Sequence, residues 1–291
     1  MIRAPALVCV FLLTGHSAFG APAVDRVDHV VLPVSRLDRA AVFYTGVLAF
    51  VPGMHSASSG LILRLGRETI ELVEKSGRPF PALSRSNDGW FQHLAIVVSD
   101  IDAAYAAVRR SGAAPISAAP QLLPAWNPQA GGIRAVYFRD PEGHPLELIQ
   151  FPPGKGEPRW QSKERLFLGI DHTAIAASDT AASLALYRGQ LGLHIAGTSE
   201  NWGIEQERLS AVPGAHVRIT TLRADRGPGI ELLDYLRPRD GRPMPADTTA
   251  NDLWADRIVM LAADAPASGE ALRDPDGHFL AIARLARRPS R

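Results

Sequence analysis

The chain carries the same design twice. Residues 28–50, DHVVLPVSRLDRAAVFYTGVLAF, return at 171–193 as DHTAIAASDTAASLALYRGQLGL. Each opens on Asp-His, runs into a Ser-initiated, helix-like stretch containing a Tyr, and reaches Gly-x-Leu before the next strand. GRPFPALSRSNDGW (77–90) returns as GRPMPADTTANDLW (241–254), identical at eight of fourteen positions, and DPEGHPLELIQF (140–151) returns as DPDGHFLAIARL (274–285). The landmarks keep their order. Two copies of a unit of about 130 residues exclude a solenoid, which needs a short period repeated many times.

A weaker repeat lies inside the first copy. FQHLAIVVSDIDAAYAAVRRSG (91–112) follows the plan of residues 27–49. Both start as strands of alternating apolar residues with a His near the front, then a Ser or Asp to cap a helix; Gly112 ends the second helix in the left-handed conformation. Short strands follow, and the last of each set bears a glutamate: TIELVE with Glu71, HPLELIQF with Glu147. The turn Asp140-Pro-Glu-Gly143 aims the latter strand, with Gly143 free to take positive φ. The predicted class is therefore α+β: paired β-α-β-β-β modules, duplicated. The expected organisation is a leader at 1–20, an N-terminal domain at 22–152, a linker at 153–165 within the Pro/Gly/Lys-rich stretch PPGKGEPRWQSKER, and a C-terminal domain at 166–286.

The leader is read from Arg3, the apolar run ALVCVFLLTG, and small residues at AFG and Ala21. That is a secretory signal pattern, too short for a permanent membrane span. Cys9 is the only cysteine and lies within it, and the apolar run continues past it, which argues against a lipid anchor. The mature chain then has no thiol, so it needs no disulfide and cannot use cysteine as nucleophile or ligand. A periplasmic or secreted protein is expected, with no membrane attachment after cleavage. The net charge of +1, without a dense basic run, gives no electrostatic case for nucleic acid. The expected partner is a small-molecule substrate; a homodimer is compatible with the sequence.

The module pattern resembles the vicinal oxygen chelate superfamily, which includes glyoxalase I, type I extradiol dioxygenases, fosfomycin-resistance proteins and methylmalonyl-CoA epimerase. The resemblance covers nearly all of the chain after the leader. It implies that two modules curl into a half-open barrel around a metal, with ligands from the first and last strands of each module. Carried over residue by residue, those positions are His29, Glu71, His93 and Glu147. It says little about the reaction, because one fold hosts many activities.

Strand alternation adds a physical argument. His29 shares a face with Val31 and Pro33, His93 with Ala95 and Val97, and Glu147 with Ile149 and Phe151, while Leu146 and Leu148 turn to the helix side. A carboxylate between those leucines must meet a cation, be protonated or open onto water, because an unpaired buried carboxylate is costly. Imidazole with carboxylate suits Fe2+, Mn2+, Zn2+, Ni2+ or Co2+, which the sequence does not distinguish. With both glutamates bound the centre is formally neutral. With His29, His93 and Glu147 alone it is a facial triad with three open positions, suited to an anionic bidentate substrate and O2. Glu71 competes with Glu68 and Glu74 for the fourth place.

Tyr137 stands ten residues before Glu147 in VYFRDPEGHPLE. This resembles the extradiol dioxygenase signature and implies a hydrogen bond to a substrate oxygen; the His which that signature carries upstream is absent, GGIRAV standing in its place. His55, in the loop GMHSASSG, is a candidate for an acid/base role, and Trp126-Asn127 are candidates for a pocket wall. His144 reads as structural.

The second copy keeps His172 and Glu231 opposite His29 and Glu71. It places Arg257 opposite His93 and Ala281 opposite Glu147, and neither of these can ligate a cation. Its last module is short, with 20 residues from Trp254 to Asp274 against 50 from Trp90 to Asp140, so a helix and a strand are missing. The C-terminal half therefore reads as a degenerate, truncated copy in which His172 and Glu231 are leftovers. The expected function is that of an exported metalloprotein, a dioxygenase-like enzyme acting on a small oxygen-bearing compound chelated to the metal. The alternatives are a glyoxalase-I-like isomerase or epimerase, and a protein that sequesters a small ligand without catalysis.

Overall fold

The structure, a computed structural model, describes residues 23–55 and 60–285, apart from the side chains of residues 54 and 55. The expected leader at 1–20, with Cys9, lies outside the described residues. The first module comprises β1 (Arg26–Val34), α1 (Leu37–Gly46), β2 (Val51–His55), β3 (Leu61–Leu65) and β4 (Glu68–Glu74). The second has β5 (Gln92–Val98), α2 (Ile101–Arg110), the short β6 (Ala114–Pro115) and β7 (Gln121–Leu122), β8 (Arg134–Arg139) and β9 (Pro145–Gln150). The third has β10 (Phe167–Ala176), α3 (Thr180–Tyr187), β11 (His194–Trp202), α4 (Ile204–Ser210), β12 (His216–Arg223) and β13 (Gly229–Arg237). The fourth is reduced to β14 (Arg257–Ala262), β15 (Glu270–Arg273) and β16 (Phe279–Arg284), so the missing helix and strand are confirmed.

The α+β class and the duplication hold, but the modules do not pair in sequence order. One seven-stranded sheet runs β15-β16-β14-β1-β4-β3-β2 and joins the fourth module to the first. The other runs β11-β12-β13-β10-β5-β9-β8-β6 and joins the third to the second. Each junction is an antiparallel pair of first strands, β1 with β14 and β10 with β5. The division at 153–165 thus separates the copies of the repeat, whereas each sheet draws on both 22–152 and 166–286.

The chain crosses between sheets in the two segments that repeat each other, 75–91 and 238–256, and there they clasp. Arg78 donates to both oxygens of Asp252 at 2.9 and 2.8 Å, and Arg242 to both oxygens of Asp88 at 3.1 and 2.6 Å. Each guanidinium also lies over a tryptophan, Arg78 on Trp254 at 4.9 Å and Arg242 on Trp90 at 4.6 Å. Asp88 and Asp252 are buried, so each carboxylate depends on the other copy for its cation.

Apolar alternation sets the faces. Val30, Leu32 and Val34 of β1 and Leu94, Ile96 and Val98 of β5 point into one core, filled by α1 and α2. Ile175, Leu232, Met260 and Leu280 form an equivalent core around α3. Truncating a buried leucine here would cost about 2–5 kcal/mol. Helices α2 and α3 are capped as expected, by Asp100 and Asp179. Helix α1 is not: Ser35 makes no side-chain cap, and distant carboxylates take the amides instead, Glu142 that of Ser35 at 2.9 Å and Glu74 that of Leu37 at 3.0 Å. Gly112 and Gly143 have the positive φ their turns require, +81° and +105°.

Candidate metal centre

The β10/β5 junction sets four chemically active side chains on one inner face. Across it His93 pairs with Ala174 and His172 with Ala95. On the parallel sides Ala95 pairs with Glu147 and Ala174 with Glu231. Because Leu94, Ile96, Leu146 and Leu148 face the helical core, alternation turns His93 and Glu147 into the concavity.

The donor atoms converge. His93 Nε2 lies 3.1 Å from Glu147 Oε2, and His172 Nε2 lies 3.4 Å from Glu147 Oε2 and 3.4 Å from Glu231 Oε2. The two imidazole Nε2 atoms are 3.4 Å apart. Bonds of about 2.0–2.2 Å to one ion place neighbouring donors about 3.0–3.5 Å apart, so His93, Glu147 and His172 are spaced as a divalent cation requires, with Glu231 beside His172. His93, Glu147 and His172 are all buried, with their donor atoms within 4.8 Å of one another.

Burial alone would raise the Glu147 carboxyl; hydrogen bonds from His172 and His93 override it and draw the group down to about 2. Burial opposes the charged form of His172, but the charge of Glu231 and the bonds to Asp171 and Glu147 carry it well above the ordinary histidine range. The carboxylates that would hold a proton on His172 pull equally on a divalent cation, which binds the neutral imidazole by displacing that proton. The two imidazoles are held differently. His172 Nδ1 donates to Asp171 Oδ2 at 3.0 Å, and Asp171 Oδ1 accepts from Trp160 Nε1 and Arg223 Nη2, both at 3.2 Å. Trp160 comes from the stretch expected to be a linker, so that segment also buttresses the site. His93 Nδ1 has no hydrogen-bond partner among the described residues; its ring packs 4.8 Å from that of Tyr137. Glu231 Oε1 accepts from the Thr221 hydroxyl at 2.8 Å. Glu147, His172 and Glu231 open on a cleft of about 570 Å³ lined by Tyr137, Ile149, Phe151, Leu209, Ile219 and Thr221 among others, with His93 buried behind them.

Two expected ligands are elsewhere. His29 and Glu71 stand 3.4 Å apart on the inner face of the seven-stranded sheet, with Asp28 on His29 Nδ1 at 2.8 Å. The helical core lies between β1 and β5, so alternation points His29 and His93 away from each other. In place of that pair His93 and Glu147 meet His172 and Glu231, which the sequence reading set aside as leftovers. Their signal was present, since they match the motif as well as His29 and Glu71 do; the missing information was which modules share a sheet. The register confirms the rest of the reading. Arg257 pairs with Val31 as His93 pairs with Ala174, and Ala281 pairs with Val259 as Glu147 pairs with Ala95. The degenerate set therefore belongs to the seven-stranded sheet, not to the C-terminal half. Tyr137 lies on the cleft wall. His55 ends β2 at the sheet's far edge, and its side chain lies outside the described residues. His144 is structural: Nε2 donates to Pro33 O at 2.9 Å and Nδ1 faces Asp256 at 3.0 Å. Asn127 forms part of the roof, donating to Asn201 Oδ1 at 2.6 Å, and the Trp126 ring stacks on Trp202 at 3.9 Å.

A family model described as Glyoxalase/Bleomycin resistance protein/Dioxygenase superfamily matches residues 26–148. A 2-epi-5-epi-valiolone epimerase from an Actinomyces species is 33% identical over 159 residues, covering 46% of this chain and 84% of that protein. The chain belongs to the glyoxalase/bleomycin resistance protein/dioxygenase superfamily. Another relative, human mitochondrial methylmalonyl-CoA epimerase, is 32% identical over 89 residues, 28% of this chain and 51% of that protein. The crystal structure of glyoxalase I from Zea mays aligns with a TM-score of 0.59 over 89% of this chain and 92% of that one; at 15% identity this likeness shows the superfamily fold alone.

Proposed function

We propose that His93, Glu147, His172 and Glu231 hold one divalent cation, and that the protein is an isomerase or epimerase moving a proton on the carbon beside a carbonyl of a small oxygen-bearing substrate. Glu231 carries this reading. As a fourth donor in a six-coordinate sphere it leaves two positions, enough for two substrate oxygens and none for O2; a dioxygenase-like reaction needs the three-donor arrangement. The cation, when bound, would polarise the substrate carbonyl as a Lewis acid and acidify the adjacent C–H.

The chain's own groups then have distinct work. Glu147, drawn to about 2 between two imidazoles, is a ligand and a poor base. Glu231 has the more exposed side chain, 17% against 7%; with its Oε2 turned toward the cation, its Oε1, hydrogen-bonded by the Thr221 hydroxyl, is the atom suited to accept and return the proton. Burial pushes the Tyr137 hydroxyl well above its ordinary range, which keeps it protonated as a donor to a substrate oxygen. Leu209, Ile149 and Phe151 exclude water from the reacting carbon. The names of two relatives, both epimerases, point the same way. The leader pattern at 1–20 would deliver the enzyme to the periplasm or the medium.

The test is deuterium uptake. Metal-loaded protein is incubated in D2O with a panel of small 2-hydroxyketones, and exchange at the carbon beside the carbonyl is followed by NMR. Exchange is expected, with loss in Glu231→Gln. Oxygen consumption with catechols and no exchange would establish the dioxygenase-like reading instead, and saturable binding without turnover would establish sequestration.

A further inference from the structure

Away from the metal centre, the two copies of the repeat differ at one place in a consistent direction. In the first copy the carboxylates of Glu74 and Glu142 reach the amides of Leu37 and Ser35, at 3.0 and 2.9 Å. Phe80 fills the space beside them, edge-on to His144 at 5.2 Å. The repeat places Asp234, Asp276 and Met244 at the positions of Glu74, Glu142 and Phe80. Both carboxylates are one methylene shorter and the aromatic ring is gone. A cavity of about 420 Å³ opens there, and no residue lining it lines the metal cleft.

Its polar groups are incompletely paired. Asp234 is 4% exposed; Oδ2 accepts from the Thr180 hydroxyl at 3.0 Å, and Oδ1 has no hydrogen bond among the described residues. Arg218 and Arg239 make longer ion pairs with Asp234, both at 3.7 Å; Arg218 is shared with Glu200, and Arg239, 62% exposed, lies on the cavity wall. Asp276 Oδ1 accepts from the Ser178 amide at 3.1 Å, and its buried Oδ2 has no hydrogen bond among the described residues. Arg242, also on the wall, is committed to Asp88. The remaining surface is largely apolar, with Leu233, Met244 and Pro275. Carboxylate oxygens accept only, so the missing partner is a donor; with Arg239, among the described residues, the one cation of the wall not committed to another acid, a cationic donor balances the second carboxylate.

We infer that this cavity is a second small-molecule site, and that it takes a primary ammonium on a compact apolar body. The ammonium meets Asp234 and Asp276, and the body packs on Leu233 and Met244. The volume lies within the range of small-ligand pockets, about 300–1,000 Å³.

Methionine methyl NMR tests this, because the chain has only four methionines. Met244 reports on the cavity and Met260, fully buried in the core around α3, reports on the fold. Cyclohexylammonium is expected to shift the Met244 methyl saturably while Met260 stays in place, and cyclohexanol to bind at least tenfold more weakly. In an Asp234→Glu/Asp276→Glu variant, which uses the residues the first copy already tolerates, ammonium binding should fall at least tenfold with Met260 unmoved. An unresponsive Met244, equal binding of the alcohol, or undiminished binding in the folded double variant each overturns the inference. If Met260 shows the variant to be misfolded, the ammonium–alcohol comparison in the unaltered protein decides.

Discussion

Replacing His172 by alanine, beside His29→Ala as its twin, tests which histidines belong to the metal centre. His172 Nε2 stands 3.4 Å from both Glu147 and Glu231, so its loss removes one of the four proposed donors. An apparent metal-binding free energy of about 10–16 kcal/mol shared over four ligands is about 3 kcal/mol each. At 1.4 kcal/mol per decade, that is roughly a hundredfold loss of affinity. His29 touches Glu71 and Asp28 on the other sheet, so its removal should leave the metal untouched. Elemental analysis after dialysis, with competition against a chromogenic chelator, reads both. The reasoning is refuted if His29→Ala weakens metal binding as much as His172→Ala, or if neither changes it. Circular dichroism of each metal-free variant guards against reading a folding defect as a ligand effect.

Further predictions follow from the same geometry. Arg257→His with Ala281→Glu restores, at equivalent register positions, the two donors the seven-stranded sheet lacks, and should raise the metal stoichiometry from one to two per chain. Asp171→Asn weakens the support of His172 and should cost about 10–100-fold in metal affinity by the same chelator competition. Asp88→Asn breaks the clasp; because Arg242 is half exposed, the loss should sit near the low end of the range for buried pairs, about 3 kcal/mol in urea unfolding. Burial would raise the Asp88 carboxyl, but Arg242 and the amides of Arg85 and Arg242 hold it below its ordinary value. Its contribution is therefore complete above the unfolded pKa of about 3.9 and is lost as pH falls through the folded value, so the variant's stability should fall less steeply in acid. Lys155 Nζ donates to the carbonyls of Pro128, Gln129 and Gly131 at 2.9–3.1 Å. Lys155→Met should loosen that roof loop, seen as faster amide hydrogen exchange at Gly131 and Gly132.

Much of the site was legible residue by residue. The alternation around Glu147, with Leu146 and Leu148 on the helix side, follows from local sequence, as does the positive φ at Gly112. The failure of Arg257 and Ala281 to match His93 and Glu147 also shows in the aligned repeats, and the registers bear it out. Ser35 misled, because carboxylates 37 and 107 residues away along the chain took the amides a local cap would have served. Trp160 looked like part of a linker, and nothing in the local pattern told that its indole N–H would meet Asp171.

The sequence by itself determined the module, its duplication, and the face on which each histidine and glutamate lies, since these depend on periodicities a few residues long. Only the tertiary structure decided that the second module shares a sheet with the third, and hence that His93 and Glu147 meet His172, with Glu231 beside it. The physical reason is that edge-to-edge strand pairing satisfies the same backbone hydrogen bonds whichever module supplies the partner. The choice falls to contacts between distant residues, such as the Arg78–Asp252 and Arg242–Asp88 clasp, which leave no periodic trace in the chain.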